Sequence, residues 1–214
     1  MTFSIGQYTN RTITDFKSKL TGGGSRANLF EVVLSFPREL EIIPDDTYRF
    51  MVKGAELPGS TVSAISVPFR GRQLKVSGDR TFAPWTITVL NDTNFTIRNS
   101  FERWMNLMNR NDDNAGVITP ANYQTNMYVH QLGRGKVANT TSENTFPTAQ
   151  DIIPILKSYK FYGAFPTDIT PIPLSYDSVD TIEEFSVTFE YQWWDTYVGD
   201  SSTTMLGTSE GTSD

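Results

Sequence analysis

Cysteine is absent from this chain of 214 residues, and histidine occurs once, at position 130. Without cysteine the chain forms no disulfide, no thiolate zinc site and no thiol nucleophile. One histidine cannot supply a histidine-rich metal site, and we interpret His130 as an ordinary strand residue. No apolar run approaches the roughly 20 residues of a membrane span. We therefore expect no metal site and no membrane partner.

Positive charge is in short supply, because 18 lysines and arginines face 24 aspartates and glutamates, for a net charge of −6. An acidic protein does not attract nucleic acid as a whole. The densest basic group lies between positions 70 and 80, where Asp79 interrupts it. We interpret this group as ordinary strand and turn charges rather than as a nucleic-acid site.

Recognisable catalytic constellations are also missing. Acidic pairs occur at 45–46, 112–113 and 183–184, but neighbouring strand residues point to opposite faces, and the first two pairs lie in predicted turns. A calcium loop at 111–116 fails because Ala115 stands where an oxygen ligand is needed. No phosphate-binding GK[ST] loop is present. We expect no enzymatic activity, no catalytic residue and no cofactor.

Apolar and polar residues alternate in several segments of the chain, most clearly at 183–194 (EEFSVTFEYQWW). Every odd position from Phe185 to Trp193 is apolar, which predicts one strand with an apolar face in the core and a polar face against water. The polar positions are Glu184, Ser186, Thr188, Glu190 and Gln192. Similar runs predict further strands at 29–36, 48–57, 62–69, 72–77, 85–91, 126–133 and 155–166.

One segment has a helical period instead. Its apolar stripe predicts a helix at about 94–109, with Asp92 or Thr93 as N-cap and Trp104 facing a sheet. About eight strands and one helix indicate a mainly β fold, in which two packed antiparallel sheets form a sandwich or barrel with one flanking α-helix. The stripe consists of Ile97, Phe101, Trp104, Met105 and Met108.

Composition also divides the chain. Residues 1–24 are polar and end in three glycines, so we expect a flexible N-terminal arm. Residues 25–195 form the β domain, with an extended polar loop at about 133–151. Residues 196–214 form a low-complexity C-terminal tail.

Four segments, in order, carry a family resemblance. The most telling is SGDRTFAPWTITVLND (77–92), in which a strand, a Gly-Asp-Arg-Thr-Phe turn and an aromatic-led strand precede the helix. Together with 25–36, 48–76 and 161–195 it covers more than half of the chain. The sequence resembles the tail tube proteins of contractile-tailed, T-even-like bacteriophages. The loop at 133–151 and the residues after Asp195 depart from that pattern.

The resemblance implies a structural virion protein of the phage tail, assembled in the host cytoplasm. Six copies would form a ring, and rings would stack into a hollow tube inside a contractile sheath. Further partners would be the baseplate and tail terminator proteins, with DNA passing through the lumen without specific binding. Candidate lumen-lining residues are Glu184, Ser186, Thr188, Glu190 and Gln192. Candidate contacts between subunits are Arg70, Arg72, Asp79 and Arg80.

Two alternatives remain open at this point. A tube-initiating baseplate protein with the same fold would occur once per tail rather than as a repeating unit. A carbohydrate-binding β-module, favoured by the many tryptophans and tyrosines, would be a monomer that binds glycans.

Overall fold

A computed structural model describes residues 12–20, 24–42, 46–134 and 154–198. The helices are α1 (Ile13–Lys19), α2 (Asp46–Phe50) and α3 (Thr96–Met108), with short 3-10 turns at Arg38–Leu40 and Pro120–Asn122. The strands are β1 (Phe30–Val33), β2 (Val52–Ala55), β3 (Ser60–Phe69), β4 (Arg72–Phe82), β5 (Trp85–Leu90), β6 (Thr125–Leu132), β7 (Ile155–Ile169), β8 (Glu184–Glu190) and β9 (Trp193–Val198).

Two antiparallel sheets share the long strand β7. Its first half pairs with β6 and β9, and β1 extends this layer beyond β6; we call the layer sheet A. Its second half pairs with β8, which is followed by β5 and β2; we call this layer sheet B. The mainly β fold with two antiparallel sheets is confirmed.

The core lies between the two sheets. Trp85 of sheet B stacks on Phe161 of sheet A, with 4.4 Å between ring centroids, and Phe189 packs against the same indole at 5.4 Å. The indole Nε1 of Trp85 donates a hydrogen bond of 2.8 Å to the carbonyl of Glu56. Because aromatic residues bury the largest apolar areas, this cluster dominates the packing of the sandwich.

Helix α3 covers the flank of the core, as its apolar stripe predicts. Phe101 and Trp104 are fully buried, and the Trp104 indole donates to the carbonyl of Tyr123 at 2.8 Å. The prediction of Asp92 or Thr93 as N-cap is wrong. The cap is Phe95, whose backbone is left-handed (φ 56°) and whose side chain makes no capping hydrogen bond. Asp92 Oδ1 accepts a hydrogen bond of 3.5 Å from the Ile97 N–H.

β7 crosses from sheet A to sheet B at Gly163, whose φ of 61° lies in the left-handed region. A Cβ here would lie 3.0 Å from Cγ of Gln192 and 3.1 Å from Oε1 of Gln124.

We therefore expect Gly163→Ala to lower the free energy of unfolding by about 1–2 kcal/mol, measured by urea denaturation. Gly59→Ala is the control, because a Cβ there meets nothing within 4 Å; equal losses in both variants would contradict the argument.

Two strand predictions need correction. Residues 48–57 are not one strand, because α2 occupies the first part, where buried Tyr48 shares a hydrogen bond of 3.0 Å with Ser100. The alternation at 183–194 also spans two strands, since β8 ends at Glu190 and β9 begins at Trp193 in the other sheet. Trp193 is consequently 49% exposed rather than in the core.

The predicted terminal segments and loop lie largely outside the described residues. Of the N-terminal arm, α1 is described; it begins with a capping box between Thr12 and Asp15, and none of its residues is buried. Most of the loop at 133–151 falls in the undescribed range 135–153. β9 continues to Val198, three residues beyond the predicted end of the β domain.

Candidate assembly surfaces

The outer face of sheet B is a ladder of small hydroxyl side chains. In register, β5 and β8 pair Thr86 with Thr188 and Thr88 with Ser186. The hydroxyls of these pairs lie 3.1 Å and 3.4 Å apart. The polar positions of the two strands, which alternate separately in sequence, therefore form one continuous surface, which we call the hydroxyl face.

Acidic side chains border the hydroxyl face. Glu184 lies at one end of β8, where it forms an ion pair with Lys53, and Glu190 lies at the other end. Asp168 of β7 is directly opposite Thr188 and is exposed. Four of the predicted lumen residues thus share this face. The fifth, Gln192, lies in the connection from β8 to β9, where its backbone N–H donates to the carbonyl of Tyr162.

Strands β3 and β4 form a separate two-stranded hairpin that projects from the sandwich. Arg70 (φ 44°) and Gly71 (φ 79°) make its tight turn. At its base, the Phe82 ring packs against Tyr191 at 6.0 Å and Trp194 at 6.4 Å. The rest of the hairpin is exposed along both strands.

One face of this hairpin is apolar. Directly opposed pairs place Ile65 beside Val76 and Val67 beside Leu74, and all four side chains are exposed, as is Phe69 at 66%. A two-stranded hairpin on its own is marginally stable in water, and a contiguous exposed apolar patch marks an interaction site. We therefore expect the hairpin face to be buried against another protein surface.

The candidate subunit contacts all lie on this hairpin. Arg70 and Arg72 flank the tip, and the Arg70 guanidinium lies over the Phe69 ring at 5.4 Å. Asp79 and Arg80 lie near the base, beside the register shift between β3 and β4. No ion pair joins these four to any other described residue. The charged residues could be identified from the sequence. The exposure of the apolar side chains between them could not.

A second exposed surface was missed by sequence reasoning. The connection from β7 to β8, residues 170–183, has no strand of its own and is anchored by Thr170, whose amide donates to the Ser186 carbonyl at 2.9 Å. It exposes four large apolar side chains, which are Leu174, Tyr176, Val179 and Ile182. We call it the acidic loop, since it also carries Asp177, Asp180 and Glu183 and has no lysine or arginine.

Sheet B also has two open edges within the described part of the chain. β2 pairs only with β5, and the second half of β7 pairs only with β8. Unpaired backbone groups at a sheet edge readily accept another strand. Such edges permit the sheets of neighbouring copies to join.

His130 lies in strand β6, as the sequence predicts. Its Nδ1 lies 2.7 Å from the Ser158 hydroxyl on the outer face of sheet A, and burial lowers the pKa of its imidazole. Within the described ranges no group of acidic and histidine side chains is arranged to hold a metal. None of the described helices is long and apolar enough to cross a membrane.

The family model for phage tail tube proteins matches residues 25–197, which include both sheets, the hairpin and the acidic loop. The chain belongs to the phage tail tube protein family. This confirms the resemblance drawn from the four sequence segments. The chain accordingly has a structural role as a tail tube protein.

A similar curated protein is the tail tube protein gp19 of Enterobacteria phage T4. It is 29% identical over 175 residues, which cover 82% of this chain and 93% of gp19. The match spans nearly the whole relative.

Solved structures with the same fold come from contractile injection systems. A chain from the sheath/tube terminator of an extracellular contractile injection system, PVC, has a TM-score of 0.52 at 12% identity, covering 82% of this chain and 97% of that one. A chain from the PVC sheath-tube complex has a TM-score of 0.50 at 14% identity, covering 85% and 97%. At these identities the likeness concerns the fold.

Proposed function

We propose that six copies of this protein form a ring and that rings stack into the hollow inner tube of a contractile phage tail. The tube is the conduit through which the genome enters the host cell. Its partners are further copies of itself, the surrounding sheath protein, and the baseplate and tail terminator proteins. The subunit belongs to the virion tail and is assembled in the host cytoplasm.

The observation that carries this proposal is the hydroxyl face between two open edges. If β2 of one copy joins the second half of β7 in the next, the sheets B close into one barrel without exposed edges. One face of such a barrel must pack on the subunit cores, as Ile87 and Val187 do. The opposite face then lines a bore filled with water and, during ejection, with DNA.

The chemistry of the hydroxyl face suits such a bore. Each phosphate that a lysine or arginine neutralises strengthens non-specific DNA binding, so repeated basic contacts along a tube would slow the genome. The face offers hydroxyls and the carboxylates of Glu184, Glu190 and Asp168, with Lys53 already paired. Repulsion from these carboxylates is screened within about 8–10 Å. The wall therefore neither holds the DNA nor bars its passage.

The hairpin residues Arg70, Arg72, Asp79 and Arg80 make contacts between subunits in this proposal. They project beyond the sandwich and are exposed in the described part of the subunit. A contact of this kind stabilises the hairpin at the same time as it joins two copies.

Negative-stain electron microscopy of the purified protein tests the proposal. We expect rings and hollow rods, whose formation depends on protein concentration. A monomer that binds glycans and never assembles would favour a carbohydrate-binding module instead. Quantifying copies per tail in purified virions separates a repeating tube subunit from a tube-initiating baseplate protein, which would occur in a single ring.

A further inference from the structure

The hairpin face and the acidic loop project from opposite ends of sheet B. Trp85 at the start of β5 is paired with Phe189 at the end of β8, and the hairpin enters and leaves the sheet at this end. Leu90 is paired with Glu184 at the other end, from which the acidic loop leaves. The two ends are separated by the length of β8, about 20 Å.

The two surfaces also have opposite charge. The hairpin carries four basic side chains against the single acidic Asp79. Arg70 and Arg72 lie at the tip beside Phe69, whereas Arg80 lies near the base and Lys75 lies on the opposite face. In the acidic loop, Glu183 accepts a hydrogen bond of 2.9 Å from the Asn91 amide. Asp177 and Asp180 are exposed and form no ion pair with any other residue in the described ranges.

Both surfaces are apolar as well as charged. Phe69 at the hairpin tip is exposed, with the Arg70 guanidinium over its ring. The acidic loop surrounds an open cleft of about 440 Å³, whose walls include Pro173, Leu174 and Ile182. The lining also includes Ser175, Glu183 and Glu184. An exposed ring beside a guanidinium is therefore complementary in charge and polarity to a cleft that combines apolar side chains with carboxylates.

We infer that the hairpin face of one copy docks on the acidic loop of a second copy, with Phe69 against the cleft and Arg70 and Arg72 opposite Asp177 and Asp180. The contact is head-to-tail, because its two halves lie at opposite ends of the same sheet. A contact of this type repeats without limit along one direction, or closes into a ring. The inference rests on the proposed self-assembly and identifies the surface that receives the hairpin.

Charge reversal on either half tests the docking. The double variants Arg70→Glu/Arg72→Glu and Asp177→Lys/Asp180→Lys each place like charges against each other in every contact between identical copies. We expect each variant alone to raise the critical concentration for assembly at least about tenfold. All four positions are exposed, so thermal unfolding of the monomers should remain close to that of the unmodified chain.

Mixing the two variants is the decisive step. The hairpin of the first variant is then acidic and the loop of the second is basic, so an alternating assembly regains complementary contacts at every junction. We expect an equimolar mixture to assemble at a concentration where neither variant assembles alone. Lys75→Glu is the matched control for Arg72→Glu, because Lys75 pairs with Ser66 on the opposite face of the hairpin.

The possible outcomes separate this inference from the proposed function. If the unmodified chain never assembles under any condition, self-assembly itself fails. If it assembles and both double variants assemble equally well, the docking is wrong while the tube proposal stands. If the variants fail singly and also in the mixture, the charges matter but do not face each other, which overturns the pairing.

Discussion

Replacing Trp85 by alanine should lower the free energy of unfolding by about 3–5 kcal/mol, the largest stability effect we expect from a single substitution. Trp85 is 2% exposed and joins the two sheets through its contacts with Phe161 and Phe189. The truncation removes that packing, leaves a cavity and deprives the Glu56 carbonyl of its donor. Urea denaturation of the monomer, followed by far-ultraviolet circular dichroism, measures the loss.

Trp193→Ala is the matched control. The same side chain is removed, but Trp193 is half exposed and its ring stacks on Tyr162 at 5.0 Å at the surface of sheet A. We expect a loss of about 1 kcal/mol or less. A loss at Trp193 as large as the loss at Trp85 would show that the core does not lie between the two sheets.

Lysines on the hydroxyl face should slow DNA ejection strongly. In Ser186→Lys/Thr188→Lys, each copy adds two positive charges to the proposed bore, and the phosphates of the passing genome bind them. We expect the rate of DNA release from virions to fall at least about tenfold at low salt, and to recover as added salt weakens the phosphate contacts. Release is measured by the fluorescence of a DNA-binding dye after the tail is triggered.

The neutral variant Ser186→Gln/Thr188→Gln separates charge from bulk. It adds side chains of comparable reach without charge, so its tubes should release DNA with little dependence on salt. Unchanged release kinetics in lysine-bearing tubes of normal length would mean that the hydroxyl face lies away from the DNA.

Much of this fold could be predicted from the spacing of apolar residues along the strands and the long helix. The alternation from Phe185 to Phe189 and the stripe containing Phe101 and Trp104 each reflect one buried face, which local pattern encodes directly. The alternation could not reveal that the chain changes sheets after Glu190. Tyr191 is still buried there, while Trp193 already belongs to a strand of the other sheet.

The remaining misses arise from tertiary contacts. Residues 48–57 have strand composition, yet Tyr48 lies in α2 because its ring packs on Phe36 and its hydroxyl meets Ser100. The charges of the hairpin were visible in sequence. Whether Ile65, Val67 and Leu74 are buried by the same subunit depends on where the hairpin projects, which strand patterns do not encode.

The acidic loop escaped prediction for a related reason. Its apolar residues match neither the two-residue period of a strand nor the 3.6-residue period of a helix, so the sequence pattern predicts no element there. They can be recognised as a candidate contact surface only from the topology, which places them at one end of sheet B and the basic hairpin at the other. Assembly surfaces are therefore less accessible from sequence than the core.

Cryo-electron microscopy of the assembled tube tests the central claim most directly, by locating the hydroxyl face relative to the tube axis. We predict rings of six in which Thr86, Thr88, Ser186 and Thr188 point into the bore and sheets B of neighbouring copies are joined through β2 and the second half of β7. A tube whose bore is lined by other residues, with these hydroxyls on the outer surface or buried between rings, would contradict the account.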